Sequence, residues 1–323
     1  MLIIVTGGAG FLGSNLCDRL LEDQSNPFNK IVCIDNLWTG HTFNIMDLDN
    51  HSRFKFIQMD VIDLTEDKWD TIPDIKELGM IYHLACPASP PQYQSDPIKT
   101  LQTNFIGTLN MLKLAHHYKA RILLTSTSEV YGQPLEHPQT ESYRGNTSCT
   151  GIRACYDEGK RIAETLMFDH NRQYGTDIRV VRIFNTYGPR LGASDGRVVS
   201  NFIDQALNKN KITIYGDGTQ TRSFCYVDDT IDALILMMNN KFNFKGPVNI
   251  GNPNEITINL LATYIYDIIG NIDCQVEYYP LPSDDPLQRK PDISLAKEIL
   301  GWEPKTSLEN GLSKTINWFK CPI

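Results

Sequence analysis

Short apolar runs, each followed by a stretch with helical spacing, recur along the first 184 residues. Leu2-Ile3-Ile4-Val5 opens the series, then Ile31-Val32-Cys33-Ile34-Asp35 and the alternating Phe54 to Asp60. Met80 to Ala85, Arg121 to Thr125 and Ile178 to Ile183 continue it. Runs this short and this apolar predict strands covered on both faces. Between them, Leu16, Leu20 and Leu21 fall on one helical stripe, and Pro97 to Tyr118 reads as a helix, as does a long segment carrying Tyr156. Strands alternating with helices predict an α/β fold built on a doubly wound parallel sheet.

The pattern changes after Asn185. Pro, Gly and Asp become frequent, and short β-like pieces such as Lys211 to Tyr215 alternate with short helices. The expectation is a domain over residues 1–184 and a smaller mixed α/β, substrate-binding domain over 185–323, with 223–250 returning to the first. The smaller unit is expected against the sheet's carboxyl edge, where ligands of such sheets bind.

Composition narrows the function. The 323 residues are 41% hydrophobic and 21% charged, as in ordinary globular proteins, and the net charge of -8 argues against nucleic acid or an acidic membrane as partner. Eight cysteines (Cys17, Cys33, Cys86, Cys149, Cys155, Cys225, Cys274 and Cys321) form no Cys-x-x-Cys pair, and no zinc spacing occurs, so no metal is expected. Reduced thiols, together with no apolar run long enough to cross a bilayer and no leader at Leu2 to Val5, predict a cytoplasmic protein.

Gly7-x-x-Gly10-x-x-Gly13 stands between a strand and a helix, the context of a dinucleotide-binding turn in a Rossmann-type fold. Its glycines permit a tight turn and close backbone approach, and the helix N-terminus faces the pyrophosphate. Asp35 ends the second strand; its carboxylate can accept from ribose hydroxyls and repel a 2′-phosphate, favouring NAD over NADP, or it can cap the next turn. Asp60-Val61 is either an adenine contact or a turn.

Tyr156 and Lys160 lie four residues apart, on one helix face, with Arg153 a turn earlier on the same stripe. The ammonium is expected to lower the phenol's pKa and make Tyr156 a base near neutral pH. Thr125-Ser126-Thr127-Ser128-Glu129 closes the fifth strand. Either these hydroxyls serve only strand-end hydrogen bonding, or Thr127 bonds the substrate hydroxyl that Tyr156 deprotonates, with Lys160 as pKa tuner and ribose anchor. Glu129 adds a titratable group unusual for a plain dehydrogenase. Arg153, Arg222 and Arg289 are the candidate partners for a pyrophosphate and a carboxylate.

From Gly7 to Trp302 these residues resemble the UDP-glucuronate decarboxylases (UDP-xylose synthases) of the extended short-chain dehydrogenase/reductase superfamily. The resemblance rests on Gly7 to Gly13, His83 to Pro90, Ser126 to Gly132, Ala154 to Arg161, Arg182 to Arg190 and Asp195 to Phe202. Tyr215 to Asp229 and Asp284-Asp285-Pro286 through Ile293 complete it. It implies oxidation of the glucuronosyl C4 by NAD, loss of CO₂ from the resulting β-keto acid, protonation at C5, and return of hydride to give UDP-xylose. It also implies roles: Ser128, Glu129 and Arg289 in decarboxylation and protonation; Ser128 and Arg153 about the sugar carboxylate; Ala88 and Tyr93 lining it. Asn185 and Asn201 would contact the substrate, Tyr215 the uracil and Arg222 the pyrophosphate. Phe11, Leu12, Asn36, Gly40, Asp60, Val61, Leu84, Thr103 and Thr125 would join the cofactor set. Relatives dimerise through a four-helix bundle, for which the helices near 97–118 and 153–173 are candidates, so a homodimer is expected.

The chain also departs from that pattern. Ser148-Cys149-Thr150-Gly151-Ile152 replaces a proline-containing run, Ser25–Asn29 and Glu66–Gly79 look like surface insertions, and the membrane anchor of many relatives is missing. Within the superfamily, a UDP-sugar 4-epimerase or a nucleotide-sugar 4,6-dehydratase competes; a dehydratase usually shows Asp-Glu after the threonine, where this chain has Ser128-Glu129. An enzyme that releases UDP-4-keto-pentose is a further alternative. A non-catalytic nucleotide-sugar sensor would be expected to lose Tyr156 or Lys160, and both are present.

Overall fold

The computed structural model describes residues 1–193, 195–270, 275–280 and 289–321; Cys274 and the Asp284 to Pro286 motif lie outside them. Strands β1 (Leu2–Thr6), β2 (Lys30–Asp35), β3 (Phe54–Gln58), β4 (Leu78–His83), β5 (Arg121–Thr127) and β6 (Ile178–Ile183) follow one another with helices between. The remaining strands are β7 (Thr186–Tyr187), β8 (Ile212–Tyr215), β9 (Thr221–Ser223), β10 (Cys225–Tyr226), β11 (Val248–Ile250), β12 (Glu255–Thr257) and β13 (Val276–Tyr279). One seven-stranded parallel sheet runs in the order β11-β6-β5-β4-β1-β2-β3, and the others pair as β7-β10, β9-β12 and β8-β13. The strand order reverses between β1 and β4, which opens a crevice at their carboxyl ends.

Alternation along each strand divides the core in two. Ile3, Val5, Ile31 and Cys33 face α1 (Phe11–Glu22) through Leu16, Cys17, Leu20 and Leu21. Leu2, Ile4, Val32 and Ile34 share the opposite cluster with Met111, Leu112 and Ala163. No polar position interrupts β1 from Leu2 to Val5, because water reaches neither face.

The helix predicted from Pro97 to Tyr118 is three pieces. After α2 (Pro90–Ser95) come α3 (Pro97–Gln102), a π-helical turn at Thr103–Gly107, and α4 (Thr108–Tyr118). Gly107 sits so close to Val61 that a Cβ would lie 2.6 Å from its methyl, and the wide turn brings Thr103 to the cavity wall. Residues 66–79 are not a surface insertion: Trp69, Ile72, Ile75 and Leu78 are buried beneath the sheet. Ser25 and its neighbours are exposed.

α5 (Ala154–Tyr174) is the long helix predicted around Tyr156. Farther along lie α6 (Val198–Leu207), α7 (Val227–Met238), α8 (Ile258–Ile269), α9 (Ser294–Leu300) and α10 (Leu308–Lys320). β11 pairs with β6 at Val248 and Val181, so part of the chain beyond residue 185 completes the main sheet.

Candidate active site

A cavity of about 660 Å³ opens at the carboxyl ends of β1, β4, β5 and β6 and extends to residues of β8 and β9. The glycine turn forms one wall. Gly7 has φ +70°, and a Cβ on Gly13 would lie 2.2 Å from the Gly7 carbonyl oxygen, so the turn admits no side chain there. At Gly10 a Cβ would meet only that carbonyl, at 3.2 Å, and otherwise points into open space. The N-terminus of α1 has no side-chain cap and no acidic residue in its first turn, leaving its N–H groups for an anion.

Asp35 accepts from the N–H groups of Ala9 (3.0 Å) and Leu37 (2.8 Å), so it caps the turn and lines the cavity at once. Burial raises its pKa, while those two N–H groups pull it back. Asn36 donates to Asp60 at 2.7 Å, and the Lys99 ammonium lies 3.3 Å from the same carboxylate and 4.9 Å above the Trp38 ring. Gly40 stands outside the cavity lining. A Cβ there would strike the Asp35 carboxylate at 2.8 Å, so its place is behind that side chain.

The other predicted positions all reach the cavity wall. On the dinucleotide side these are Gly7, Gly10, Phe11, Leu12, Gly13, Asp35, Asn36, Asp60, Val61, Leu84, Thr103, Thr125 and Lys160. On the substrate side are Ala88, Tyr93, Thr127, Ser128, Glu129, Arg153, Tyr156, Asn185, Asn201, Tyr215, Arg222 and Arg289. Tyr215 keeps 48% of its surface exposed and faces Tyr279, while Arg222 donates to the Thr221 carbonyl at 2.9 Å.

Around Tyr156 the geometry differs from expectation. Its phenol is pushed above the usual tyrosine value by burial, with a hydrogen bond from Thr127 opposing. Lys160 Nζ donates to the Thr125 carbonyl at 2.9 Å and lies 6.0 Å from the Tyr156 ring centre. In this arrangement the ammonium ties α5 to the end of β5, and desolvation outweighs charge. Tyr93 stacks on Tyr156 with ring centres 4.9 Å apart and planes 5° from parallel.

Glu129 is shared by Arg153 and Arg289. Arg289 also donates to Ser128 Oγ (3.4 Å) and the Gly132 carbonyl (3.1 Å), and burial lowers it to about 10, still cationic at neutral pH. Two guanidiniums converging on one carboxylate have the geometry to take another carboxylate in exchange.

Sequence reasoning gave no role to Trp38, Cys86, Asp195 and Arg197, which also line the cavity. Arg197 Nε pairs with Asp195 at 2.9 Å. The Asp195-Gly196-Arg197 stretch was the available signal for two of them and His83 to Pro90 for Cys86; Trp38 carried none. Ahead of α5, Ser148 Oγ accepts from the Gly151 N–H at 3.1 Å, a side-chain turn within the Ser148 to Ile152 run.

Residues 3–251 match the NAD dependent epimerase/dehydratase family, and the chain belongs to it. It is 55% identical over 312 residues to UDP-glucuronic acid decarboxylase 3 of Arabidopsis thaliana, covering 97% of this chain and 87% of that one. UDP-glucuronic acid decarboxylase 1 of Xenopus tropicalis is 49% identical over 318 residues, with 98% and 72% covered. Among solved structures, UDP-glucuronic acid 4-epimerase from Bacillus cereus, in complex with UDP-glucuronic acid and NAD, superposes with a TM-score of 0.86 at 30% identity over 99% of each chain. UDP-glucose 4-epimerase from Thermotoga maritima, with UDP-glucose, gives 0.87 at 30% identity over 99% of each. The α/β class, the Rossmann-type sheet and the resemblance to UDP-glucuronate decarboxylases read from the sequence are borne out. Among the described residues no helix is long and apolar enough to cross a membrane.

Proposed function

We propose that this chain converts UDP-glucuronate to UDP-xylose and CO₂. The observation that carries the reading is Glu129 held between Arg153 and Arg289 beside Tyr156. An epimerase or dehydratase needs the Tyr156 end of this arrangement. The two cations add a place for a sugar carboxylate, which suits a uronic acid substrate rather than a neutral sugar. The near full-length kinship with named UDP-glucuronic acid decarboxylases supports the same choice.

The Gly7–Gly13 turn, the uncapped start of α1 and the Asp35 carboxylate fit NAD, with Gly10 leaving open space toward the cavity. When bound, NAD supplies a reversible hydride acceptor for the sugar C4. The protein's own part begins at the C4 hydroxyl. Burial holds the Tyr156 phenol protonated, so it must first become phenolate, which the positive charge of a bound nicotinamide would favour. It then accepts the C4 proton while Thr127 bonds the oxygen. Arg153 and Arg289 receive the C6 carboxylate, displacing Glu129. Bond cleavage then puts the electron pair onto the C4 carbonyl, and the cavity holds the intermediate until the ketone is reduced. Asn185, Asn201, Tyr215 and Arg222 hold the nucleotide, and residues 185–323, apart from 223–250, make up the substrate-binding domain.

We read the protein as a cytoplasmic homodimer. Seven cysteines among the described residues are free, which fits a reducing compartment. Ile98, Leu101, Phe105 and Ile162 expose between 37% and 63% of their surface along α3, the π-helical turn and α5, an apolar strip for a second copy. Light scattering after size exclusion tests the assembly.

Incubation with UDP-glucuronate is expected to release CO₂ and yield UDP-xylose without net reduced nicotinamide. UDP-galacturonate without CO₂ establishes an epimerase instead, and UDP-4-keto-pentose with stoichiometric reduced nicotinamide establishes the truncated reaction. Tyr156→Phe is expected to lose at least about 10²-fold in turnover while UDP binding persists.

A further inference from the structure

After CO₂ leaves, C5 needs a proton, and the cavity's side chains differ in whether they have one to give. Lys160 is committed to the Thr125 carbonyl. Arg289 is committed to Ser128 and Gly132, and Glu129, which the two guanidiniums take back once the substrate carboxylate has left as CO₂, is an acceptor. Tyr156 is occupied with the oxygen at C4. The Cys86 thiol donates to the Pro87 carbonyl.

Tyr93 stands apart. It is 1% exposed and lines the cavity, and its hydroxyl has no hydrogen-bond partner among the described residues. Burying a hydroxyl unpaired costs about 1–3 kcal/mol, a cost removed when a ligand meets it. Its main-chain carbonyl accepts from the Thr100 hydroxyl (3.0 Å) and the Cys155 thiol (3.6 Å), which fixes where the ring stands. That ring lies parallel to Tyr156, 4.9 Å away. Parallel rings at that distance leave room for the two phenols to serve neighbouring positions of one bound sugar, and C5 is the neighbour of C4. Burial pushes the Tyr93 phenol up to about 12, so it is protonated at neutral pH, and Arg153 and Arg289 favour the phenolate it leaves.

We propose, resting on the decarboxylase reading above, that Tyr93 is the catalytic acid that protonates C5. The Tyr93 O–H bond breaks and a C5–H bond forms from the electron pair of the enolate C4=C5 bond, while C4–O⁻ returns to C=O. The pair left on the Tyr93 oxygen takes a proton from solvent water, which restores the acid.

The test runs wild type and Tyr93→Phe in D₂O with UDP-glucuronate, following CO₂, UDP-xylose, reduced nicotinamide and the face of C5 deuteration. Tyr93→Phe keeps the stacked ring. The expected result is single-turnover CO₂ release near the wild-type rate, UDP-xylose formation slowed by about 10²-fold, reduced nicotinamide accumulating, and deuterium on both faces of C5. Unchanged product formation with deuterium on one face overturns the proposal. So does an equal slowing of CO₂ and UDP-xylose, the mark of a residue that only positions Tyr156. If Tyr93→Phe fails to fold, fluorotyrosine at position 93 replaces it: a changed C5 protonation rate supports the acid, and an unmoved one overturns it. Wild type that releases no CO₂ defeats the decarboxylase reading itself, a result distinct from either outcome at Tyr93.

Discussion

Lys160 points its ammonium at the main-chain carbonyl of Thr125, 2.9 Å away, and so joins the first turns of α5 to the last residues of β5. The same bond sets the distance between Tyr156 on the helix and Thr127 on the strand end. Lys160→Met removes a buried cation and its hydrogen bond together. It is expected to reduce turnover by at least about 10²-fold and to lower the melting temperature; Lys160→Arg, with a larger planar head, should not restore activity. Steady-state kinetics with thermal unfolding checks both.

Glu129 lies between two largely buried guanidiniums, of which Arg153 also faces Asp157 at 3.8 Å, so removing its charge takes a carboxylate from both and falls hardest on Arg289. Glu129→Gln is expected to cost about 3 kcal/mol of folding stability, measured by denaturant unfolding. Added UDP-glucuronate should recover more stability in the variant than in wild type, since the substrate carboxylate takes the vacated place. Equal stabilisation by UDP and UDP-glucuronate would count against that arrangement.

The last two glycines of the fingerprint should fail differently. Gly13→Ala places a methyl 2.2 Å from a main-chain oxygen, so unfolding temperature and NAD affinity should fall together. Gly10→Ala meets that oxygen at 3.2 Å and otherwise projects into the cavity. It should fold near-normally and lose NAD affinity, read by calorimetric titration.

Asp35 makes a prediction about pH. Burial raises its pKa in the folded state, so the folded protein binds that proton more tightly than the unfolded chain does. Its contribution to stability is therefore full below the ordinary carboxylate value and declines as pH rises through the folded value. Asp35→Asn removes this slope. The melting temperature of the variant minus that of nucleotide-free wild type should grow from about pH 4 to about pH 7. The variant should also bind NADP more tightly relative to NAD than wild type does, since the charge facing a 2′-phosphate is gone.

Much of this was written in the chain itself. The apolar run at Leu2 to Val5 reads as a covered strand, and Gly7, Gly10 and Gly13, set between that strand and a helix, read as a dinucleotide turn. Such features depend on residues near in sequence, where periodicity and φ preference act directly. The buried role of Trp69 and Ile72 and the break of the 97–118 helix at Thr103 were not legible, because each is decided by what packs from elsewhere.

The site divides the same way. Sequence placed Tyr156 and Lys160 on one helix face and set Ser128 where a dehydratase usually shows Asp. Only the tertiary structure brought Arg289, 160 residues beyond Glu129, onto the same carboxylate as Arg153, and laid Tyr93 flat against Tyr156. Only it showed the Tyr156 phenol raised by burial, with Lys160 turned to a carbonyl. Local spacing fixes which side chains share a face; desolvation and ion pairing depend on every group within a few ångströms, and those groups meet only when the sheet and its outlying segments close around them.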